Sequence, residues 1–577
     1  MAVNSPCLAV RSSKGINLYH GPPVYEDVPE FTKDESKACR TMVFSPDGKY
    51  FGWITDKVIK ICLCSNWSVV AVIEKPKVFS LQFSPLGTFL MTWMPFIVSK
   101  DNPQGSPQMH FWKSENGENV ASFTQKRQVD WEPQWSKDEK ICGMLINNNV
   151  YFYENANFEK STCKMTLGNG AKFKISPKKE PYVIACYLPG KQGQPSIAQI
   201  VQYPNFDTTQ SLARKSFFQS DSVQFLWNTN GTSVLVITSS DVDVTGASYY
   251  GKQALHYLNV KGEAVNIILQ EHGTIHSVEW SPKGNEFCVI FGSMPTNAKI
   301  FNTKCEPIHE FGKGYRNSIY YNPHGNILLL AGFGNLRGTM EIWDVEKKKL
   351  IAQTDAPDTT LLEWSPNGEH FVTATTAPRL RTANNYKIWH YTGTLLHKKD
   401  WNEPDALYEV LWQRFPENTF PEKPISYKAV EGIVCDKPQA SKEVYRPPSQ
   451  RGRVINFSLH DDDDTTKKPE PSKNASKWKK KREAKKNKRQ AEGETVPPKP
   501  VDKSKQNNTV VNKGTNDASL STEEHEKIKR IRRIQSTLKK ISKLKESLSA
   551  GKKLEINQLD KIKTEGELLK ELEALTS

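Results

Sequence analysis

One turn motif recurs nine times along the first 418 residues and limits what the chain can fold into. Each copy is a mainly apolar strand segment followed by a turn of the type Ser/Asn-Pro-x-Gly. Proline presets φ at the first turn position, and Asp/Asn-Gly supplies a residue that tolerates positive φ, so each copy predicts a tight β-hairpin. The copies begin at Phe44, Phe83, Trp135, Ile175, Trp227, Trp280, Tyr321, Trp364 and, in degraded form, Trp412.

The spacing of the motif predicts a repeat architecture. Successive copies begin 39 to 53 residues apart, with a mean of 46. After Tyr321 the chain continues with an apolar strand at 327–330, a third strand that ends in Trp343-Asp344, and a fourth at 349–353. Four strands in about 40–45 residues make one propeller blade, and Trp-Asp is its dipeptide. The sequence therefore predicts an all-β fold, a single nine-bladed WD-like β-propeller over residues 1–430.

The segment before Phe44 contains two further strand-like pieces, at residues 7–10 and 16–19. We expect them to complete the last blade, because closing the ring removes the exposed strand edges. Two smaller propellers of four and five blades are the alternative. The even spacing offers no linker between them, which favours the single ring.

The loops between the second and third strands of each blade should emerge on one face, together with the connections between blades. Three of these loops, at 249–252, 333–338 and 378–381, hold basic residues, in two cases beside aromatic ones. Arginine and lysine pair with phosphates and aromatic rings stack on bases, so this loop face suits RNA or the ribosome. Ordinary solvated loops are the alternative. The candidate residues are Lys252, Arg337, Arg379 and Arg381.

The sequence predicts neither a catalytic centre nor a cofactor or metal site. Residues 246–252 nearly spell a P-loop, but Gln253 replaces the Ser/Thr that would hold Mg²⁺, and a strand pattern follows instead of a helix. Cys62 and Cys64 share one strand face, which favours core packing over metal binding. An enzyme in the central channel would need converging carboxylates or histidines, and the innermost strands are mainly apolar. We expect a non-enzymatic protein.

The location predicted from the sequence is the cytoplasm, without a membrane partner. No run reaches the roughly 18 apolar residues that span a bilayer, and the first ten residues lack the basic and apolar regions of a secretory signal. The ten cysteines contain no C-x-x-C pair. Scattered cysteines without a secretory signal favour free thiols in a reducing compartment.

The basic charge is concentrated in the last quarter of the chain. Residues 431–577 carry 35 Lys+Arg and 23 Asp+Glu, a net +12 of the total +15. Residues 431–520 have little to bury and predict a disordered linker, with an acidic run at 461–464. The basic run at 473–489 could bind RNA phosphates, act as a nuclear-import signal or simply be solvated; RNA binding is favoured. The candidate residues are Lys479, Lys480, Lys481, Arg482, Lys485, Lys486, Lys488 and Arg489.

Residues 521–577 regain a helical period. Residues 521–524 form a capping box, and apolar residues from Ile528 to Leu548 follow a 3,3,4 spacing that gives one stripe. The stripe breaks at 549–551 and resumes from Leu559. This pattern predicts an amphipathic helical hairpin, which could self-associate as a coiled coil or dock a protein partner or ribosomal RNA.

The chain resembles the eukaryotic translation initiation factor 2A family, single-chain factors distinct from the alpha subunit of the heterotrimeric factor. Two of the stretches that carry the resemblance are Ala331-Gly-Phe-Gly-Asn-Leu-Arg-Gly338 and Tyr386-Lys-Ile-Trp-His-Tyr-Thr-Gly393. The others lie at 215–218, 241–251, 255–257, 377–381, 445–448 and 551–559. They follow in order along nearly the whole chain, whereas 450–520 is similar only in composition.

The resemblance implies a nine-bladed propeller and a flexible C-terminal region. It implies an activity, which is directing initiator methionyl-tRNA to the small ribosomal subunit without GTP dependence, on a subset of mRNAs. It also places contacts with tRNA, mRNA and another initiation factor in the C-terminal portion, and that factor could dock on the helical hairpin. The alternative is a non-catalytic propeller scaffold for protein–protein interaction, in which the tail would only aid solubility or nuclear import.

Overall fold

The computed structural model describes residues 5–433 apart from 99–104, 127–129, 191–193, 208–209, 219, 241–250, 252 and 270–272, and eight helical residues beyond 537. Within these described residues, 35 strands form nine sheets. All of them belong to one compact unit, and the residues beyond 537 belong to a second. Among the described residues, no helix has the length and apolar character needed to cross a bilayer.

The first two strands, β1 (Cys7–Ser12) and β2 (Gly15–His20), precede the first complete blade. Blade one contains β3 (Met42–Phe44), β4 (Tyr50–Ile54), β5 (Val58–Leu63) and β6 (Val69–Glu74). Blade two contains β7 (Ser80–Phe83), β8 (Phe89–Trp93), β9 (Met109–Lys113) and β10 (Asn119–Phe123). Blade three contains β11 (Gln134–Trp135), β12 (Ile141–Ile146), β13 (Asn149–Glu154) and β14 (Cys163–Thr166).

The next three blades repeat the four-stranded order. Blade four contains β15 (Lys172–Ile175), β16 (Val183–Leu188), β17 (Ser196–Gln202) and β18 (Ala213–Phe217). Blade five contains β19 (Ser222–Trp227), β20 (Ser233–Ser239), β21 (Gln253–Asn259) and β22 (Ala264–Ile267). Blade six contains β23 (Ile275–Trp280), β24 (Glu286–Phe291), β25 (Thr296–Asn302) and β26 (Pro307–Gly314).

The last strands end at the inner strand of blade nine. Blade seven contains β27 (Ser318–Tyr321), β28 (Ile327–Ala331), β29 (Thr339–Asp344) and β30 (Lys349–Asp355). Blade eight contains β31 (Leu361–Trp364), β32 (His370–Thr375), β33 (Asn384–His390) and β34 (Leu395–Trp401). Blade nine combines β35 (Leu407–Trp412) with β1 and β2. The prediction of a nine-bladed propeller is confirmed.

In blades one to eight the turn motif joins the innermost strand to the second strand, whereas the ninth copy, at Trp412, follows the innermost strand of blade nine, β35, whose neighbour β1 comes from the start of the chain. In blade one the Ser45 hydroxyl accepts the Tyr50 amide at 2.8 Å, and in blade seven the Asn322 side chain accepts the Ile327 amide at 3.1 Å. The motif therefore needs Ser or Asn because a short polar side chain closes the turn. Gly48 has φ 76°, as the motif predicts for its glycine.

The first and last strands close the ring. β1 pairs antiparallel with β35, in a register that places Leu8 opposite Trp412 and Val10 opposite Val410. All four side chains are buried, and burial of each contributes about 1.5–3 kcal/mol. Residues 26–34 run beside β2 and supply the fourth edge of the blade through backbone hydrogen bonds. Ring closure confirms the single propeller and rules out the two smaller ones.

The hydrophobic core is divided among the interfaces between blades. The buried residues form nine clusters, and each cluster joins two neighbouring blades. Between blades two and three, for example, Phe89 and Phe111 pack with Trp135 and Phe158. Cys62 and Cys64 lie in the cluster between blades nine and one, so their predicted role in core packing is confirmed.

After β35, residues 413–433 form a segment that we call the strap. It runs over the turn face, the face that carries the nine motif turns. Its ion pairs reach three distant blades: Lys137–Glu417 at 2.7 Å, Lys283–Glu422 at 3.5 Å and Lys423–Glu369 at 2.8 Å. At Ile433, the last residue described in this part of the chain, the strap lies beside blade eight, where the Ile433 amide donates to the Leu395 carbonyl at 2.7 Å. It therefore crosses the mouth of the central channel on the turn face.

The predicted disordered linker at 431–520 lies outside the described residues except for 431–433. In the second unit the described helical residues are Leu538, Ile541, Ser542, Lys545, Glu565, Gly566, Leu569 and Leu572. Lys545 and Glu565 form an ion pair. The hairpin over 521–577 stays a prediction.

Candidate nucleic-acid interface

Two of the loops that the sequence singled out lie next to each other on the loop face. Residues 332–338 join β28 to β29 in blade seven, and residues 376–383 join β32 to β33 in blade eight. Both belong to the set that connects second and third strands, so they project on the same face. This placement agrees with the sequence prediction that residues 333–338 form a loop between the second and third strands of a blade.

The loop of blade seven is tied down at its base. The Gly332 amide donates to the Thr339 carbonyl at 3.0 Å, and the Gly338 amide donates to the Gly332 carbonyl at 2.8 Å. Phe333 is buried in the cluster between blades seven and eight. Its amide donates to the Asn317 side-chain oxygen at 3.0 Å. The loop therefore holds Arg337 on a fixed frame.

Arg337 points into solvent, with 84% of its side chain exposed. Its Nη2 lies 3.4 Å from one carboxylate oxygen of Asp355, and the other carboxylate oxygen accepts a hydrogen bond from the Thr339 hydroxyl at 2.8 Å. An exposed pair of this kind contributes little to stability, so a phosphate could replace the carboxylate at small cost.

The loop of blade eight presents two arginines from an equally fixed base. The Ala377 amide donates to the Leu407 carbonyl at 2.7 Å, and the Asn384 side chain donates to the Leu380 carbonyl at 2.7 Å. Arg379 and Arg381 are exposed. In the part of the chain that the structure describes, neither arginine forms an ion pair.

The two loops approach each other through Gly334 and Arg379. A Cβ built on Gly334 would lie 2.9 Å from the Arg379 guanidinium, and Gly334 has φ 77°. Glycine therefore allows the arginine of one blade to lie against the backbone of the next. The structure brings Arg337, Arg379 and Arg381 into one region of the loop face.

The other candidate residues lie outside the described part of the chain. This applies to Lys252, to residues 246–250 of the broken P-loop, and to the tail residues Lys479, Lys480, Lys481, Arg482, Lys485, Lys486, Lys488 and Arg489. Gly251 is described, with φ 70°, and a Cβ there would overlap the Ser240 carbonyl. A strand, β21, begins at Gln253, as the sequence indicated.

The innermost strands are less apolar than we expected from the sequence. Apolar residues alternate with exposed or partly exposed ones, which include Glu279, Glu363 and Glu409. Burial raises the pKa of each of these carboxyls. Glu363 pairs with Arg414 at 2.6 Å. Apolar character along the whole strand is unnecessary because only every second side chain packs against a neighbouring blade.

The cysteines of the propeller are unsuited to nucleophilic chemistry. The nine described cysteines are unpaired. Burial raises the pKa of every one of their thiols, for example to about 12 at Cys62. Reactive cysteines need a lowered pKa. Among the described residues, no three or more His, Cys, Asp or Glu side chains lie together as metal ligands would.

A second basic region of the loop face was missed in the sequence. Six cationic residues lie on the loop of blade one and on the connections that flank blades one and two, and we call them the basic arc: Lys37, Arg40, Lys57, Lys75, Lys77 and Lys126. They are dispersed over 90 residues of sequence, so no local charge run marks them. Only their places in the repeat could have shown that they share one face.

Comparisons with known proteins agree with this architecture. The family model described as "Eukaryotic translation initiation factor eIF2A" matches residues 215–410. The Drosophila melanogaster eukaryotic translation initiation factor 2A is 41% identical over 77% of this chain and 72% of its own length. The chain belongs to the eukaryotic translation initiation factor 2A family.

Two further relatives extend this result. The Schizosaccharomyces pombe factor 2A is 32% identical over 98% of each chain. A crystal structure of a eukaryotic initiation factor superposes with a TM-score of 0.65 at 32% identity, and covers 72% of this chain and 100% of that one. A factor 2A relative is thus recognisable over almost all of this chain, and the protein has the role of a translation initiation factor.

Proposed function

We propose that the chain directs initiator methionyl-tRNA to the small ribosomal subunit in the cytoplasm, without GTP dependence and on a subset of mRNAs. The observation that carries the proposal is the charge division within a translation initiation factor. The tail, residues 431–577, has a net charge of +12, and the other 430 residues have +3. A tail of this kind gains affinity for RNA by releasing counterions from phosphates.

The propeller supplies a rigid platform in this proposal. Its ring is closed by β1 and β35, and its loop face presents Arg337, Arg379 and Arg381 on tethered loops. The ribosomal subunit meets that face, and the tail holds tRNA and mRNA. The C-terminal helical segment contacts another initiation factor. Binding and positioning suffice for such an activity, so no catalytic step is required.

The test neutralises the tail and leaves the propeller intact. Lys479, Lys480, Lys481, Lys485, Lys486 and Lys488 are changed to Gln in the full chain, and filter binding measures affinity for methionyl initiator tRNA. We expect a loss of tenfold or more and a smaller salt slope, by up to about 5 units for six lost phosphate contacts. The matched control changes the same six lysines to Arg, which preserves charge and should preserve affinity. Equal affinity of the Gln variant and the parent chain overturns the tail assignment.

A protein-interaction scaffold is the second candidate, and exposed apolar residues favour it. Phe218, Ile268 and Tyr315 lie on connections between blades four and seven, on the loop face, and are 73%, 79% and 65% exposed. Exposed apolar groups of this size suit a protein partner. Sucrose-gradient sedimentation separates the two candidates. A factor that binds the small subunit co-sediments with it at low salt, whereas a scaffold stays in the free fractions.

A further inference from the structure

Blades one and two carry cations without acidic partners on the loop face. Within the described residues, none of the six members of the basic arc forms an ion pair. Exposed acidic residues also lie on these connections, but in the described part of the chain none of them comes within ion-pair distance of an arc cation: Glu26, Asp27, Glu30, Glu35, Asp56, Asp130 and Glu132. The six cations of the arc are therefore available to phosphates, in contrast to Arg337, which has Asp355 beside it.

Two aromatic rings lie among these cations. The Arg40 guanidinium carbon lies 4.5 Å from the centre of the Phe79 ring, and the ring is 45% exposed. The Lys126 ammonium lies 4.3 Å from the centre of the Phe96 ring, which is half-buried. An exposed phenylalanine costs free energy in water, but a flat ring beside a cation can accept the face of a nucleobase.

The rings and cations are held by the backbone of the blades. The Phe79 amide donates to the Trp93 carbonyl at 2.9 Å, and the Arg40 amide donates to the Ile54 carbonyl at 3.3 Å. Phe96 packs against Gly105, where a Cβ would overlap its ring. Val78, next to Phe79, is buried in the cluster between blades one and two. The surface is therefore preorganised.

We propose that the basic arc, with Phe79 and Phe96, is a binding surface for single-stranded RNA on blades one and two. The lysines bind successive phosphates, and unpaired bases stack on the two rings. A duplex keeps its bases stacked inside the helix, so it can use the lysines but not the rings. The surface shares no residue with the tail or with Arg337, Arg379 and Arg381, so it goes beyond the function proposed above.

Crosslinking locates the site directly. The full chain is bound to an unstructured 12-nucleotide uridine-rich RNA that contains 4-thiouridine, irradiated, digested and mapped by mass spectrometry. We expect crosslinked peptides that contain Phe79 or Phe96. We expect the same crosslinks in the chain whose six tail lysines are changed to Gln. Loss of RNA binding by the tail and loss of RNA binding by the basic arc are therefore distinguishable. Crosslinks confined to other parts of the chain overturn the proposal.

Anisotropy titrations of the same RNA test the chemistry. Phe79→Ala should weaken binding of the single strand about tenfold and leave binding of a duplex of equal length nearly unchanged. Lys75→Gln with Lys77→Gln should reduce the salt slope by about 1.4. The matched control, Lys261→Gln with Lys304→Gln, removes two exposed lysines from the turn face and should change neither quantity.

The outcomes that overturn the proposal are specific. Equal loss of single-strand and duplex affinity in Phe79→Ala excludes base stacking. An equal salt slope in the Lys75/Lys77 and Lys261/Lys304 variants excludes phosphate contact by the arc. The thermal unfolding of each variant is measured alongside. Lys75 and Lys77 are half-buried and exposed, respectively, and neither forms an ion pair among the described residues. The Lys75/Lys77 variant therefore tests the surface even if Phe79→Ala unfolds the protein.

Discussion

The Tyr427 phenol donates a hydrogen bond of 2.6 Å to the carboxylate of Asp344 and so joins the strap to the Trp-Asp dipeptide of blade seven. Asp344 is only 2% exposed, and its other oxygen accepts the Lys347 amide at 2.8 Å. The Lys349 ammonium lies 4.5 Å from the centre of the Tyr427 ring. The hydrogen bond raises the pKa of Tyr427 to about 12. The strap is thus fastened by a buried acceptor rather than by surface ion pairs alone.

Removing this hydrogen bond should release the strap. Tyr427→Phe leaves the buried carboxylate without one of its donors, and a hydrogen bond to a charged group contributes about 1.5–3 kcal/mol. The Ser426 amide, which donates to the Tyr391 hydroxyl at 2.9 Å, should exchange with deuterium at least about tenfold faster. Hydrogen-exchange mass spectrometry of peptides covering 420–433 measures this. Tyr315→Phe, at an exposed ring, is the control and should change nothing; unchanged exchange in Tyr427→Phe contradicts the account.

The seam between β1 and β35 should be sensitive to loss of volume. Leu8 is completely buried opposite Trp412, so Leu8→Ala should cost about 2–5 kcal/mol. Urea unfolding followed by tryptophan fluorescence measures the shift in midpoint. Leu86→Ala makes the same change at a residue 49% exposed on the turn face and should shift the midpoint little. Equal shifts would show that the seam does not limit stability.

Acid should weaken the connection between blades nine and one. Asp34 accepts Trp53 Nε1 at 2.9 Å and Lys60 Nζ at 2.8 Å. Burial acts to raise the pKa of the Asp34 carboxyl, but the donated hydrogen bonds outweigh it and hold this pKa below its ordinary value of 3.8. Asp34 therefore binds a proton more readily in the unfolded chain than in the folded one. The stabilisation that its hydrogen bonds provide is complete above pH 3.8 and is lost as the pH falls further.

The test of this pH dependence is Asp34→Asn. Its unfolding temperature should fall furthest below that of the parent at pH 6, and the difference should shrink as the pH decreases to 3. Differential scanning calorimetry across this range gives both values. Asp56→Asn, at an exposed carboxylate in the next loop, should show no such trend. A constant difference for Asp34→Asn is the contrary result.

The loop that carries Arg337 should require glycine at its end. Gly338 has φ 90°, and a Cβ there would overlap the Ala356 carbonyl. Gly338→Ala should therefore destabilise the propeller by more than the roughly 1–2 kcal/mol of backbone strain alone. Gly312→Ala is the matched control, because Gly312 has φ 71° and no atom within 4 Å of the new Cβ. Chemical denaturation compares the unfolding free energies of the two variants. Equal losses of unfolding free energy would show that backbone strain alone accounts for the destabilisation.

The propeller could be predicted from the sequence because its signal is local and repeated. The residue after each aromatic, such as Ser45 or Asn322, closes a turn with a partner five residues away, so a short window contains the whole interaction. Ring closure was also predictable, since strands at 7–10 and 16–19 would otherwise have lacked a sheet. Nine repeats of one weak pattern make a strong prediction.

The strap and the basic arc were not predictable in the same way. Lys137 and Glu417 form an ion pair across 280 residues of sequence, and nothing near either residue indicates it. The strap has no regular spacing of hydrophobic residues, because it lies on the outside of the folded propeller rather than in its core. Lys37 and Lys126 share a face only after the ring has closed, whereas the loops of Arg337 and Arg381 stood out through charges that are neighbours in sequence.

Closure of the ring by its two ends has a consequence for synthesis of the protein. β1 leaves the ribosome first, and its partner β35 follows about 400 residues later, which takes about 20–80 s at rates of about 5–20 residues per second. During that time the edge of β1 that pairs with β35 in the folded protein remains unpaired. A nascent chain that terminates before Trp412 can never bury Leu8, so incomplete products should be substrates for chaperones and proteases rather than partly active factors.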